Sequence, residues 1–217
     1  MKSNVGCEAK LAILSNDDIK HLLEPGEVGA IIDWKVTDKN GKVLSSQCRR
    51  AESFVKVFMD LLRIQMCGYY GVDNPDVVNY SGYKQGINND KLHFASIALA
   101  NDALFGILVG TGATAPAITD YKMEILIAHG TGAGQLQYGA VTFGAVSADA
   151  TTSQFTITRN FANGSGGSIT VNEAGLAVKA YGYSTLHYFL TIRDATGGIA
   201  VPNGSTLTIN YRLQAVI

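Results

Sequence analysis

Period-two alternation dominates the C-terminal part of the chain. From Ser205 to Ile217, Leu207, Ile209, Tyr211, Leu213, Ala215 and Ile217 alternate with Thr206, Thr208, Asn210, Arg212 and Gln214. That is the pattern of a strand with one buried face. Gln154 to Phe161 alternates too, placing Phe155, Ile157, Arg159 and Phe161 on one side. Further strands are expected at Phe105–Val109, at Lys122–Ala128, from Ile169 to Val171 and at His187–Arg193. Asn163-Gly164-Ser165-Gly166-Gly167 and Asn203-Gly204 supply turns. Nearer the N-terminus, Ala30–Thr37 reads as a strand with Ile32, Trp34 and Val36 on one face. Asn40-Gly41 is its turn and Val43–Gln47 its return. Helical spacing appears once, from about Glu52 to Met66, where Phe54, Phe58, Leu61 and Leu62 share a side, with Gly68 as the expected stop. Residues 69–92 carry Tyr69, Tyr70, Tyr80 and Tyr83 among glycine, asparagine and aspartate, and read as one long irregular loop. No fixed-period repeat is present.

These elements predict a mainly β fold: an antiparallel β-sandwich, jelly-roll-like, with an N-terminal β-hairpin and one amphipathic helix. Charge divides it. Positions 1–100 hold 12 basic and 12 acidic residues, and positions 101–217 hold 5 and 6, while glycine rises from 8 to 16. The shift near residue 95 suggests residues 1–95 (hairpin, helix and loop) as a docking region and 96–217 as the sandwich domain, with one continuous domain as the other option.

A net charge of −1 gives no electrostatic footprint for nucleic acid, so no direct nucleic-acid binding is expected. Cys7, Cys48 and Cys67 are an odd, sparse set without CxxC spacing, and read as reduced thiols. The first residues lack a secretory apolar run, and no stretch reaches the roughly 18 apolar residues of a membrane span. A soluble protein made in a cytoplasm is the expectation.

Candidate chemistry is thin. Gly110-Thr111-Gly112-Ala113-Thr114 follows a strand, but Pro116 and a strand-like segment follow it where a dinucleotide fingerprint requires a helix. Gly130-Thr131-Gly132-Ala133-Gly134 lacks the Lys-Ser/Thr of a phosphate loop and reads as a flexible or bulged connection. His21, His93, His129 and His187 have no second ligand at helix or hairpin spacing, although His129 and His187 could meet in space. Asp33 and Asp38 flank a hairpin turn, where aspartate is expected. Asn79-Tyr80-Ser81, Asn163-Gly164-Ser165 and Asn203-Gly204-Ser205 match the glycosylation triplet, two of them as Asn-Gly turns. Arg159, on a face with two phenylalanines, needs a partner if buried, and Glu173 is the candidate. No catalytic residue, cofactor or metal site emerges, and the chain is not expected to be an enzyme. Trp34, Phe54, Phe58, Tyr69, Tyr70, Tyr80 and Tyr83 are the candidate interface anchors, since aromatic side chains give large contact area at low entropic cost.

One ordered series carries a resemblance. It runs through Val109-Gly110-Thr111-Gly112-Ala113-Thr114-Ala115-Pro116, then Ile118-Thr119-Asp120-Tyr121-Lys122-Met123-Glu124, then Ile127-Ala128-His129-Gly130-Thr131-Gly132. Phe155-Thr156-Ile157-Thr158-Arg159, Ile169-Thr170-Val171-Asn172-Glu173-Ala174-Gly175-Leu176, Ile192-Arg193-Asp194 and Val201-Pro202-Asn203-Gly204-Ser205 continue it. With Ser53-Phe54-Val55 and its helix, the series resembles small β-rich virion-associated structural proteins of tailed bacteriophages, over roughly residues 50–66 and 105–217. The resemblance implies a virion subunit, either a capsid decoration (cement) protein or a neck or tail component. It would pack against other virion proteins and itself form a homo-oligomer, with a trimer as one option. A receptor- or carbohydrate-binding module of a tail or fibre is the alternative.

Overall fold

The computed structural model describes residues 22–51, 54–67, 77–87, 94–182 and 185–217. The fold is mainly β with antiparallel sheets, and its described residues contain one helix. The hairpin forms as its turn chemistry predicts: β1 (Val28–Thr37) pairs β2 (Val43–Arg50), Asp38 accepts the Asn40 and Lys42 amides, and Gly41 takes a positive φ. Helix α1 (Lys56–Cys67) follows, then a short hairpin of β3 (Val77–Val78) and β4 (Lys84–Gln85). Next come β5 (Gly106–Gly110) and three two-residue strands, β6 (Gln137–Tyr138), β7 (Thr142–Phe143) and β8 (Ser147–Ala148). Four long strands complete the chain: β9 (Thr152–Ala162), β10 (Ile169–Tyr181), β11 (Leu186–Val201) and β12 (Thr206–Val216).

The larger sheet runs β2-β1-β12-β9, with β6, β7 and β8 spaced along the free side of β9. The N-terminal hairpin is thus part of the same sheet as the C-terminal strand. Register makes the alternation concrete. Ile32 lies opposite Tyr211, Trp34 opposite Ile209 and Val36 opposite Leu207, and those β12 residues lie opposite Ile157, Arg159 and Phe161 of β9. One row of side chains therefore crosses three strands toward a common core.

The smaller sheet, β11-β10-β5, contributes Ile107, Val109, Ala174, Leu176, Leu190 and Ile192 to that same core. Its other face is covered in two places. Val55, Val57, Leu61 and Ile64 around α1 pack with Val77, Ile87, Val178 and Phe189 in a second apolar cluster. Residues 111–126 cover the remainder, held by the contacts described below.

Two expectations need correction. Lys122–Ala128 is not a strand: the amides of Glu124 and Ile125 donate to the Glu173 carboxylate, which leaves only an isolated bridge, Gly110 to Leu126. Within the expected loop 69–92, the described residues 77–87 are ordered as a hairpin. Its turn is built by Asn79, whose Oδ1 accepts the Ser81 and Tyr83 amides, and by Gly82 at positive φ.

Candidate functional site

Strand β11 places consecutive residues on opposite faces of the smaller sheet, and each face receives a charge. Arg193 and Glu173 point away from the larger sheet, and both are buried. The Glu173 carboxylate is fully used. Oε1 accepts the amides of Ile125 (2.8 Å) and Gly112 (3.3 Å), and Oε2 accepts the Glu124 amide (3.0 Å) and Arg193 Nε (2.8 Å). Arg193 reaches on to Asp120 Oδ2 at 2.7 Å, to the Thr114 carbonyl and hydroxyl at 3.3 Å, and to Glu124 at 3.5 Å. Burial alone would lower the Arg193 pKa, but its hydrogen bonds to Asp120 and Glu173 outweigh burial and hold it above the ordinary value. Glu124 in turn accepts the Thr114 amide and hydroxyl, and those hydrogen bonds hold its carboxyl below the usual range.

The glycine pattern at 110–114 acquires a physical reason here. A Cβ at Gly110 would stand 2.3 Å from Glu173 Oε1, and one at Gly112 would stand 2.6 Å from the same oxygen. These glycines bring the backbone against an anion, as such loops do, but the anion is the protein's own carboxylate.

Asp194 faces the opposite way, into the core between the sheets. It accepts the Tyr211 hydroxyl at 2.8 Å, and Arg49 lies 3.9 Å from its other oxygen. Burial, and next the Asp194 charge, push the Tyr211 phenol well above its ordinary pKa, so the hydroxyl stays protonated as the donor.

Arg159 is fully buried, and its expected pairing with Glu173 is not what forms. The guanidinium instead donates to five main-chain carbonyls: Gly139 (2.8 Å), Ile107 (2.9 Å), Phe105 (3.0 Å), Leu99 (3.3 Å) and Asp102. Its face lies over the Tyr138 ring at 4.8 Å. Glu173 and Arg159 occupy different strands in different sheets, and Arg193 lies closer to Glu173 across β10–β11. Burial lowers the Arg159 pKa to about 10, which leaves it charged at neutral pH.

The candidate interface anchors separate. Phe54 and Phe58 pack with their rings tilted by 38° (4.4 Å between ring centres), and Phe58 meets Phe94 edge-on at 6.1 Å. With Phe143 and Phe155 they line an apolar pocket of roughly 100 Å³ at one end of the space between the sheets. Trp34 is half-buried against the core. Tyr80 is half-buried too, its oxygen accepting the Met123 amide, and burial raises its phenol to about 12. Tyr83 is 69% exposed at the tip of the β3–β4 hairpin. Tyr69 and Tyr70 lie outside the described residues.

His129 and His187 do not meet, and His21 and His93 lie outside the described residues. His129 Nδ1 accepts the Tyr138 amide, whereas His187 stands between Asn79 and Thr185. Because Asn79 Oδ1 is committed to two backbone amides, its Nδ2 faces His187 Nδ1, 3.2 Å away. The ring therefore accepts at Nδ1 and, when neutral, donates from Nε2 to Thr185. That tautomer is the reverse of a base activating a hydroxyl. Among the described residues, no three of His, Cys, Asp and Glu converge as metal ligands do. No described helix is long and apolar enough to cross a membrane.

The charged side chains inside the molecule thus hold backbone in place: a loop on one face of the smaller sheet, and a second loop at the mouth of the core. Comparison with protein-family models, curated proteins and solved structures gives no match to this chain.

Proposed function

We propose that this chain is an accessory structural subunit of a tailed-phage particle, a capsid decoration or neck or tail component, folded as a jelly-roll-like antiparallel sandwich. The observation that carries the reading joins sequence to geometry. Gly110, Gly112, Thr114, Asp120, Glu124, Glu173 and Arg193 all lie in the series that resembles virion proteins, and together they form one internal clasp. What such a series encodes is a way of fastening loop to sheet, a mechanical property. Stiffness suits a subunit whose work is to bury area against neighbours and to resist deformation.

The test is association with particles. Purified chain added to particles that lack it should bind in a fixed stoichiometry and raise the temperature at which they release their genome. Failure to bind any particle, across capsid, neck and tail preparations, would sink the reading. The alternative, a receptor- or glycan-binding module, is favoured by one observation: Tyr83 stands exposed on an ordered hairpin. Loss of host adsorption in Tyr83→Ala, with particle stability unchanged, would select it.

A further inference from the structure

Asparagine followed by glycine makes a tight turn and is also chemically labile. Glycine has no side chain to hold its amide nitrogen away from the preceding side-chain amide, and asparagine is among the thermally labile residues. The chain has three such pairs, Asn40-Gly41, Asn163-Gly164 and Asn203-Gly204. They join β1 to β2, β9 to β10 and β11 to β12.

The fold treats the three differently. Asn163 is 2% exposed, and every hydrogen-bonding position of its side-chain amide is taken. Its Nδ2 donates to the Val201 carbonyl at 2.6 Å and to the Gly167 carbonyl at 2.8 Å, and its Oδ1 accepts the Ser165 hydroxyl at 2.7 Å and the Ser165 amide at 3.0 Å. Asn203 is exposed, yet its Oδ1 accepts the Gly166 amide at 2.9 Å. The Gly204 amide, the nitrogen that would attack it, donates instead to the Asn163 carbonyl at 2.7 Å. Asn40 is exposed at the hairpin tip, and its side chain makes no hydrogen bond among the described residues. The Gly41 amide is held by one bond, to the Asp38 carbonyl at 3.0 Å.

We propose that Asn40 is a site of spontaneous modification in the folded protein, converting to aspartate and isoaspartate well before Asn203 or Asn163. The Gly41 nitrogen attacks Asn40 Cγ, and an N–Cγ bond forms as the Cγ–Nδ2 bond breaks. Ammonia leaves with the proton that Gly41 gives up, and a cyclic imide remains. Water opens the ring at Cγ to give aspartate, or at the main-chain carbonyl to give isoaspartate, and nothing is oxidised or reduced. At Asn40 only one turn bond has to open. At Asn203 two bonds must break, and at Asn163 a buried amide must shed four. Either product replaces a neutral amide with a carboxylate, taking the net charge from −1 to −2. Isoaspartate also adds a main-chain carbon inside the Asp38–Gly41 turn, and the strand that turn positions, β2, is an edge strand paired to β1 alone among the described residues.

Ageing the purified full chain in mildly alkaline buffer tests it, with peptide mapping by mass spectrometry and isoaspartyl methyltransferase labelling as readouts. In the folded chain the peptide holding Asn40 should gain one mass unit first, at least roughly tenfold faster than the peptide holding Asn163, with Asn203 between them. In denaturant, where no turn bond protects any pair, the three rates should converge. Asn40→Gln, whose longer side chain has to close a larger ring, should remove the early acidic species while circular dichroism stays unchanged. Three results overturn the proposal: Asn40 converting no faster than Asn203 or Asn163 in the folded chain, an order that persists in denaturant and so belongs to local sequence, or an early acidic species that survives Asn40→Gln. The chemistry needs no particle, so the virion reading stands or falls separately.

Discussion

Arg159 and Arg193 are both buried on long central strands, yet they are stabilised in different ways. Arg193 is neutralised by carboxylates, Glu173 and Asp120, with Glu124 beyond. Arg159 is surrounded by carbonyl dipoles and an aromatic face, with no carboxylate among its hydrogen-bond partners. The contrast appears in the ionisation of the two groups: Arg193 is held above its ordinary pKa, whereas burial lowers that of Arg159. An ion pair locks three segments by charge, and removing one member strands the other. A carbonyl cage shares one cation among many weak acceptors, so its loss loosens a loop and leaves no orphan charge behind.

Breaking the pair should therefore cost most. Arg193→Met leaves Glu173 buried and unpaired, with an expected loss of about 3–5 kcal/mol in chemical denaturation, and adding Glu173→Gln should restore part of it. Arg159→Met should cost less, roughly 2–3 kcal/mol, with faster amide exchange centred on residues 99–107. If the two losses prove equal and equally rescued, the distinction between charge lock and carbonyl cage falls. Gly110→Ala, which drives a methyl into the Glu173 carboxylate and the Ile125 main-chain carbonyl, should cost roughly 1–3 kcal/mol, and about as much beside Glu173→Gln, whose amide fills the same space.

Two pH effects are smaller. Burial holds the His187 pKa below its ordinary value, so stability from the neutral ring is present above about 6.5 and is lost as pH falls below it. Protonation also turns an N–H toward Asn79 Nδ2. Amide exchange over residues 79–84, corrected for its intrinsic pH dependence, should quicken between pH 7 and 5, and His187→Gln should flatten that response. Asp33 shifts the other way. Desolvation raises its pKa, against the hydrogen bond from Asn210 and the charges of Arg212 and Lys35, and its Oδ2 has no hydrogen-bond partner among the described residues. A raised carboxyl favours the folded state at low pH, and that advantage is lost as pH rises. Asp33→Asn should gain on the wild type in melting temperature, by a few degrees at most, from pH 4 to pH 7.

Alternation made the long strands legible, because a buried face leaves a period-two trace whatever lies opposite. The same trace put Arg159 among phenylalanines. Its partners were beyond reading, since backbone carbonyls have no residue-type signature. Glu173 was misassigned for a related reason. β-Bulges between Val171 and Glu173 and between Leu176 and Ala177 shift the register with Arg193's strand, and alternation alone does not count them. Gly110 and Gly112 invite comparison with an anion-binding loop and fail it for want of a following helix; the anion they meet is a carboxylate 61 residues downstream of Gly112, which no local pattern announces. Lys122–Ala128 has strand-like composition, and a side-chain carboxylate took the amides that a ladder would have used. Of the aromatic anchors, the exposure of Tyr83 and the half-burial of Trp34 depend on which element packs over each, and hydropathy is silent on that.

The pairing of β1 with β12 also bears on how the molecule is made. Val28 lies opposite Ala215, and Thr37 opposite Thr206. The ribosome delivers β1 first and its sheet neighbour last. At ~5–20 residues per second the hairpin waits roughly 8–30 s with one edge unsatisfied before β12 arrives. During that interval β1's only strand partner among the described residues is β2, and a two-stranded hairpin alone is marginal in water. Chains cut short before Thr206 would thus be released with a sticky, half-built sheet, and quality-control proteases should recognise them far more readily than the finished protein.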